Sequence, residues 1–211
     1  MKQLLGAVYL SLLSLFSAPV WALDADARLQ QLLQGYETIS SEFEQFSLAG
    51  DGQRTEATSG TLVLRKPNLF RWTSEEPFPQ VIVNDGTYLW IYDPDLLQVT
   101  RKPFDANGNS APALILNGQI DRLGEDFSIR LLNETDSEML FELLPHDDQS
   151  TFTRIRLLFV EQQIAQLMLE DSLGQRTSIQ FHNQQQNPEL ASDLFSFVVP
   201  EGADLIIDPG A

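Results

Sequence analysis

The chain has 211 residues, with 13 Lys and Arg against 30 Asp and Glu, a formal charge of −17 and no cysteine. A surface this acidic repels nucleic-acid phosphates and anionic headgroups, which excludes nucleic acid and stable membrane anchoring. Without cysteine there is neither a disulfide nor a thiol to carry a lipid anchor, so an exported product is soluble and depends on its core alone.

The chain opens on Lys2, an apolar run from Leu4 to Phe16, and small residues approaching Ala22. This is the pattern of a secretory signal peptide cut after Val20-Trp21-Ala22. A retained membrane anchor fits less well, because Ser11, Ser14 and Ser17 interrupt the run and no basic flank follows it. A spanning helix needs about 20 predominantly apolar residues. Residues 1–22 are therefore expected to be removed, leaving 23–211 as a single domain.

Ala25, Leu29, Leu32, Leu33 and Tyr36 form the stripe of an amphipathic helix, with Asp24 and Asp26 at its front and Gly35 near its end. From Thr61 the period changes to two. Leu62 and Leu64 alternate with Thr61, Val63 and Arg65, and Phe70 and Trp72 with Leu69, Arg71 and Thr73. Short β-rich runs follow over 80–84, 87–92, 98–102, 127–132, 139–144, 152–159, 164–169 and 175–182, punctuated by turn signals such as Asp85-Gly86, Asp93-Pro94 and Leu173-Gly174. Strands at this spacing indicate an antiparallel sandwich or barrel, and nothing indicates parallel pairing. Two segments break the rhythm. Pro103 to Arg122 reads as a polar loop and then a short helix opened by Pro112. Near the C-terminus, Pro188 to Asp193 reads as a turn or short helix, and Phe195, Phe197 and Val199 then alternate until Pro200.

Catalytic chemistry has few candidates. His146 lies in a His-Asp-Asp-Gln turn and His182 near a strand end, both read as structural, and Asp85, Asp93 and Asp95 each sit in a turn where aspartate bonds its own backbone. No nucleophile elbow, zinc helix or phosphate loop is present, so no catalytic residue, metal or cofactor is expected. What stands out is apolar sequence on both faces of single strands: Val81, Ile82 and Val83 are consecutive, Tyr88 to Tyr92 are apolar or aromatic throughout, and Leu157 to Phe159 follow suit. Something must cover the second face, and the amphipathic helix and the 103–122 insertion are the candidates. Two packings remain open: a dry core under the helices, or a barrel whose mouth holds an apolar ligand.

The stretches Ser59-Gly-Thr-Leu-Val-Leu-Arg-Lys-Pro-Asn-Leu-Phe-Arg-Trp72 and Val83-Asn-Asp-Gly-Thr-Tyr-Leu-Trp-Ile-Tyr-Asp-Pro-Asp-Leu-Leu-Gln-Val-Thr100 closely resemble the periplasmic outer-membrane lipoprotein carrier family. Ser110-Ala-Pro-Ala-Leu-Ile-Leu116 and Phe43-Glu-Gln-Phe46 fit it too, so the resemblance covers essentially the whole mature chain. It implies a mainly β fold, an incomplete antiparallel β-barrel of about eleven strands with helices forming a lid over a hydrophobic cavity. It implies a monomeric periplasmic carrier with no enzymatic activity. Its partners would be acylated lipoproteins as cargo, an ATP-driven release complex in the inner membrane and a lipoprotein receptor on the outer membrane. The cavity residues would be Leu62, Leu64, Phe70, Trp72, Val81, Val83, Leu89 and Ile91, with Leu114 and Ile115 on the lid helix. Where the family often has an arginine whose hydrogen bonds hold the lid closed, this chain has Lys66, which keeps the charge but not the guanidinium fork. The rival within the fold is a periplasmic sensor of lipid or mislocalised lipoprotein.

Overall fold

The computed structural model describes residues 24–49, 53, 57–75, 77–104, 120–148 and 150–209. The signal-peptide expectation and both lid positions, Leu114 and Ile115, lie outside the described residues.

Helix α1 spans Ala25–Gln34 and buries Leu29, Leu32 and Leu33, the stripe read from the sequence. Six strands follow: β1 Thr38–Leu48, β2 Thr58–Arg65, β3 Leu69–Ser74, β4 Gln80–Asp85, β5 Tyr88–Asp93 and β6 Gln98–Pro103. A short helix α2, Ile120–Asp126, leads into β7 Phe127–Glu134, β8 Glu138–Pro145, β9 Phe152–Val160, β10 Gln163–Asp171 and β11 Arg176–Gln186. A 3-10 turn over Ser192–Phe195 precedes β12, Asp204–Ile207.

All twelve strands join one open sheet in the order β12-β6-β5-β4-β3-β2-β1-β11-β10-β9-β8-β7. Strands β1 to β11 are antiparallel neighbours throughout, matching the expected eleven-strand incomplete barrel, and the sheet keeps two edges, at β7 and β12. One expectation is corrected: β12 runs parallel to β6, pairing Leu205 with Val99 and Ile206 with Thr100. A four-residue edge strand reached by a long return segment can take either direction, and its run is too short to signal one in the sequence.

The sheet bends around a core to which both its halves contribute. Leu29, Leu33 and Tyr36 around α1 pack with Leu62 and Leu64 from β2 and with Phe141, Leu143, Ile155, Leu157 and Leu167 from β8 to β10. Each strand places alternate side chains on this inner face. On the outer face of β8 to β10 the alternates are charged: Arg156 pairs with Glu142 at 3.0 Å and Arg154 with Glu170 at 3.1 Å.

The outer face of β3 to β5 is different, because it is covered. The segment 188–199 lies across it, with Phe195 buried and packed against β3 and β4. Phe197 stacks on Trp90 at 5.4 Å. Arg65 lies 5.1 Å over the Phe195 ring and donates to the Leu190 carbonyl, and Arg71 donates to the Leu194 carbonyl at 3.4 Å. Among the described residues it is this segment, rather than α1, that covers the second apolar face of β4 and β5, and most of the 103–122 insertion lies outside the described residues. Phe195, Phe197 and Val199 alternate without forming a strand, since the segment crosses the strands and points alternate residues down onto them.

Candidate functional site

The register assigns each inner-face side chain. Leu64 pairs with Phe70, Phe70 with Asn84 and Asn84 with Leu89, making one row across β2 to β5. Leu62, Trp72, Ile82 and Ile91 make the next row. Side chains directly opposite in an antiparallel pair share a face. The structure therefore places Leu62, Leu64, Phe70, Trp72, Leu89 and Ile91 on one face. It does not place Val81 and Val83 with them: Val83 pairs with Arg71 and Trp90, and Val81 with Thr73 and Tyr92, all on the outer face. Val83 is fully buried there, on the face that the 188–199 segment covers. Ile82 takes the inner position expected of its two neighbours.

The inner face divides into two regimes. Beneath α1, Leu64, Phe141, Leu143 and Leu157 are completely buried and the core is dry. Over β3 to β5, Phe70, Trp72, Ile82, Leu89 and Ile91 are only half-buried. The half-buried apolar rows are the candidate site, and the fully buried half beneath α1 is ordinary core.

Gly60 shapes the boundary between them. A Cβ at this position would come 1.9 Å from the Thr73 carbonyl and 2.8 Å from the Phe43 ring. Only glycine lets the Phe43 ring lie across β2, where it stacks on Trp72 with centroids 3.8 Å apart. Trp72 is further held by its indole N–H, which donates to Ser74 Oγ at 3.1 Å.

Two polar anchors fix the ends of the rows. Lys66, in the turn between β2 and β3, donates from Nζ to the carbonyls of Leu33 and Tyr36 and sits 3.8 Å over the Tyr36 ring. Helix α1 has no basic residue in its last turn, so Lys66 brings from another element the cation that a helix C-terminus favours. Burial pushes the Lys66 ammonium below the ordinary lysine value, with Glu37 opposing the shift. Burial also pushes the Tyr36 phenol up. At the β4 to β5 turn, Asp85 accepts from the N–H groups of Thr87 at 2.8 Å and Tyr88 at 2.7 Å and from the Trp90 indole at 2.7 Å. Burial opposes its ionisation, but these donors outweigh that effect and hold its carboxyl below the usual carboxylate value.

The polar clusters noted in the sequence are accounted for locally. His146 Nε2 lies 2.9 Å from Ser128 Oγ and its Nδ1 2.8 Å from the Glu125 carbonyl, tying the end of β8 to α2 and β7. Among the described residues no three His, Asp or Glu side chains are grouped to hold a metal ion. Sequence reasoning missed Ile82, Asn84 and Gly60. A glycine within an alternating strand and an asparagine within an apolar run are visible signals, whereas the phase of Ile82 is not.

A family model described as "Outer membrane lipoprotein carrier protein LolA" matches residues 34–198. The outer-membrane lipoprotein carrier protein of Chromohalobacter salexigens is 38% identical over 183 residues, 87% of this chain and 87% of that protein. Its counterpart in Azotobacter vinelandii is 39% identical over 179 residues, 85% of this chain and 86% of that protein. The crystal structure of an uncharacterized conserved protein from Thermus thermophilus has a TM-score of 0.56 at 10% identity, covering 88% of this chain and 100% of that one, a likeness of fold alone. Fold and site together define a half-open β-sheet protein with an apolar inner face bounded by a helix. The chain belongs to the outer-membrane lipoprotein carrier family.

Proposed function

We propose that the mature chain, residues 23–211, is a periplasmic chaperone that carries acylated lipoproteins from the inner to the outer membrane without enzymatic chemistry. The observation that carries this reading is the half-buried apolar surface of Phe70, Trp72, Ile82, Leu89 and Ile91 on the inner face of a member of this family. Leu62 and Leu64 continue that surface toward α1, and Lys66 is the latch that holds α1 against it.

An acyl chain of about 14 methylenes is stabilised by roughly 11 kcal/mol on leaving water, at about 0.8 kcal/mol per methylene. Unshielded chains cannot cross an aqueous compartment against that. Extraction from a bilayer exchanges one apolar environment for another, so the carrier needs no large net gain. An ATP-driven release complex in the inner membrane loads it, and a slightly better acceptor, a receptor on the outer membrane, unloads it. Family membership favours this reading over a sensor of the same fold.

The test is release of a triacylated lipoprotein from inner-membrane vesicles by the purified mature protein. Release is expected only with ATP and the release complex present, and the protein should leave the vesicles with its cargo as a one-to-one complex. Release without ATP and the complex overturns the reading.

A further inference from the structure

The inner-face row Ile39, Leu64, Phe70, Asn84, Leu89 ends on Gln186 of β11 and Lys102 of β6, and between those ends its one polar member, Asn84, is completely buried. Asn84 Oδ1 accepts the Gly86 N–H at 3.0 Å, closing the turn in which Gly86 adopts a φ of 90°. Asn84 Nδ2, which carries two N–H donors, has no hydrogen-bond partner among the described residues. A donor in this state has lost its water and gained nothing in exchange, which is unfavourable unless something else meets it. The turn explains the oxygen but not the nitrogen, because a serine or aspartate would accept the same bond from Gly86.

Where the nitrogen sits suggests its purpose. It is flanked in register by Phe70 and Leu89 and lies beneath the surface assigned above to acyl chains, so that an acyl head meets it by parting those two side chains. An acyl chain is apolar along its length and carries one strong acceptor at its head, the ester or amide carbonyl. A carbonyl drawn out of water among apolar side chains needs one donor, and a fixed donor in a low-dielectric setting meets it more strongly than it would in water.

We propose that Asn84 Nδ2 is the hydrogen-bond donor to the carbonyl oxygen of an acyl group lying on the inner face. This rests on the acyl-carrying reading and deepens it. The contact fixes how far the chain advances along the row, and it selects by chemistry. A neutral amide suits an ester or amide carbonyl and gives nothing to an ether.

The test compares three probes of equal chain length on the mature protein: 1-monopalmitoyl glycerol, N-palmitoyl ethanolamine and 1-O-hexadecyl glycerol. Affinities are read by displacement of a bound apolar fluorophore. One net hydrogen bond corresponds to roughly a fivefold preference for the ester over the ether. Asn84→Leu is expected to abolish that preference while leaving the ether affinity in place, and the amide probe shows whether the N-linked chain is recognised as well. A second measurement uses the unaltered protein: the infrared carbonyl band of a 13C-labelled ester should move to lower frequency on binding. Equal affinity for ester, amide and ether, an unshifted band, or the same shifted band in Asn84→Leu overturns the assignment and leaves the carrier reading standing. Failure of all three probes to bind overturns both.

Discussion

Replacing Phe195 with alanine tests whether the outer face of β3 to β5 is a second core, independent of the inner one. Phe195 is 3% exposed, packs on β3 and β4, and carries the Arg65 guanidinium 5.1 Å above its ring. Truncating a buried phenylalanine costs about 3–5 kcal/mol, and loss of the cation contact adds about 0.5–1 kcal/mol for a half-exposed arginine. The 188–199 segment forms no ladder with the strands it crosses, so it can partly collapse into the space, and we expect a net loss of about 4 kcal/mol. For a domain of this size that lowers Tm by roughly 10 °C. Urea unfolding followed by tryptophan fluorescence should show the lower midpoint, with Trp90, stacked on Phe197, reporting the change locally. Acyl-probe affinity per folded molecule should not change, because no inner-face residue is touched. A loss below about 1 kcal/mol would refute the second-core account, and so would a loss of acyl affinity at unchanged stability.

Three further outcomes follow from the site geometry. Gly60→Ala forces a methyl group into the Thr73 carbonyl and the Phe43 ring, and should cost about 2–3 kcal/mol by urea unfolding while altering the near-ultraviolet circular dichroism of the Phe43 and Trp72 stack. Lys66→Met removes two hydrogen bonds and the cation at the α1 C-terminus; we expect a loss of about 2 kcal/mol and faster hydrogen exchange at Leu32 and Leu33, with most of both restored in Lys66→Arg. Asp85, whose folded-state pKa is depressed, stabilises the protein above the ordinary carboxylate range, and that contribution is lost as pH falls through its folded value. Asp85→Asn should therefore cost about 1 kcal/mol at neutral pH, after allowing for solvent exposure, and shrink the difference between neutral and acid stability measured by urea titration.

The sequence was legible where one face of a segment faces water. Helix α1 and the strand pairs flanking Asp85-Gly86 and Leu173-Gly174 stand where period and turn chemistry put them. Strand β1 was accessible in the same way, since Ile39, Ser41 and Phe43 are its buried positions and Ser40, Glu42 and Glu44 lie between them, but its inward serine blurs the alternation. Phase was not legible in Val81-Ile82-Val83. With apolar residues on both faces of this run there is no polar residue within it to mark the outside, and a shift of one residue exchanges the faces. The phase is set by the pairing of Asn84 with Leu89 across the adjoining turn and by the distant Phe195 and Phe197, and the three apolar residues themselves carry neither signal. The parallel docking of β12 on β6 was equally invisible, because Leu205, Ile206 and Ile207 are all exposed and carry no alternation.

That partition of faces is also where the carrier account is most open to test. A photoreactive side chain placed singly at Trp72, Leu89 or Ile91 on the inner face, or at Val81 or Tyr92 on the outer face, should be irradiated during transfer of an acylated lipoprotein. The account predicts crosslinks to the acyl chains from the three inner positions, none from the two outer positions, and none anywhere when the cargo is supplied unacylated. Crosslinks of equal yield from both faces, or inner-face crosslinks that persist without acylation, would contradict it.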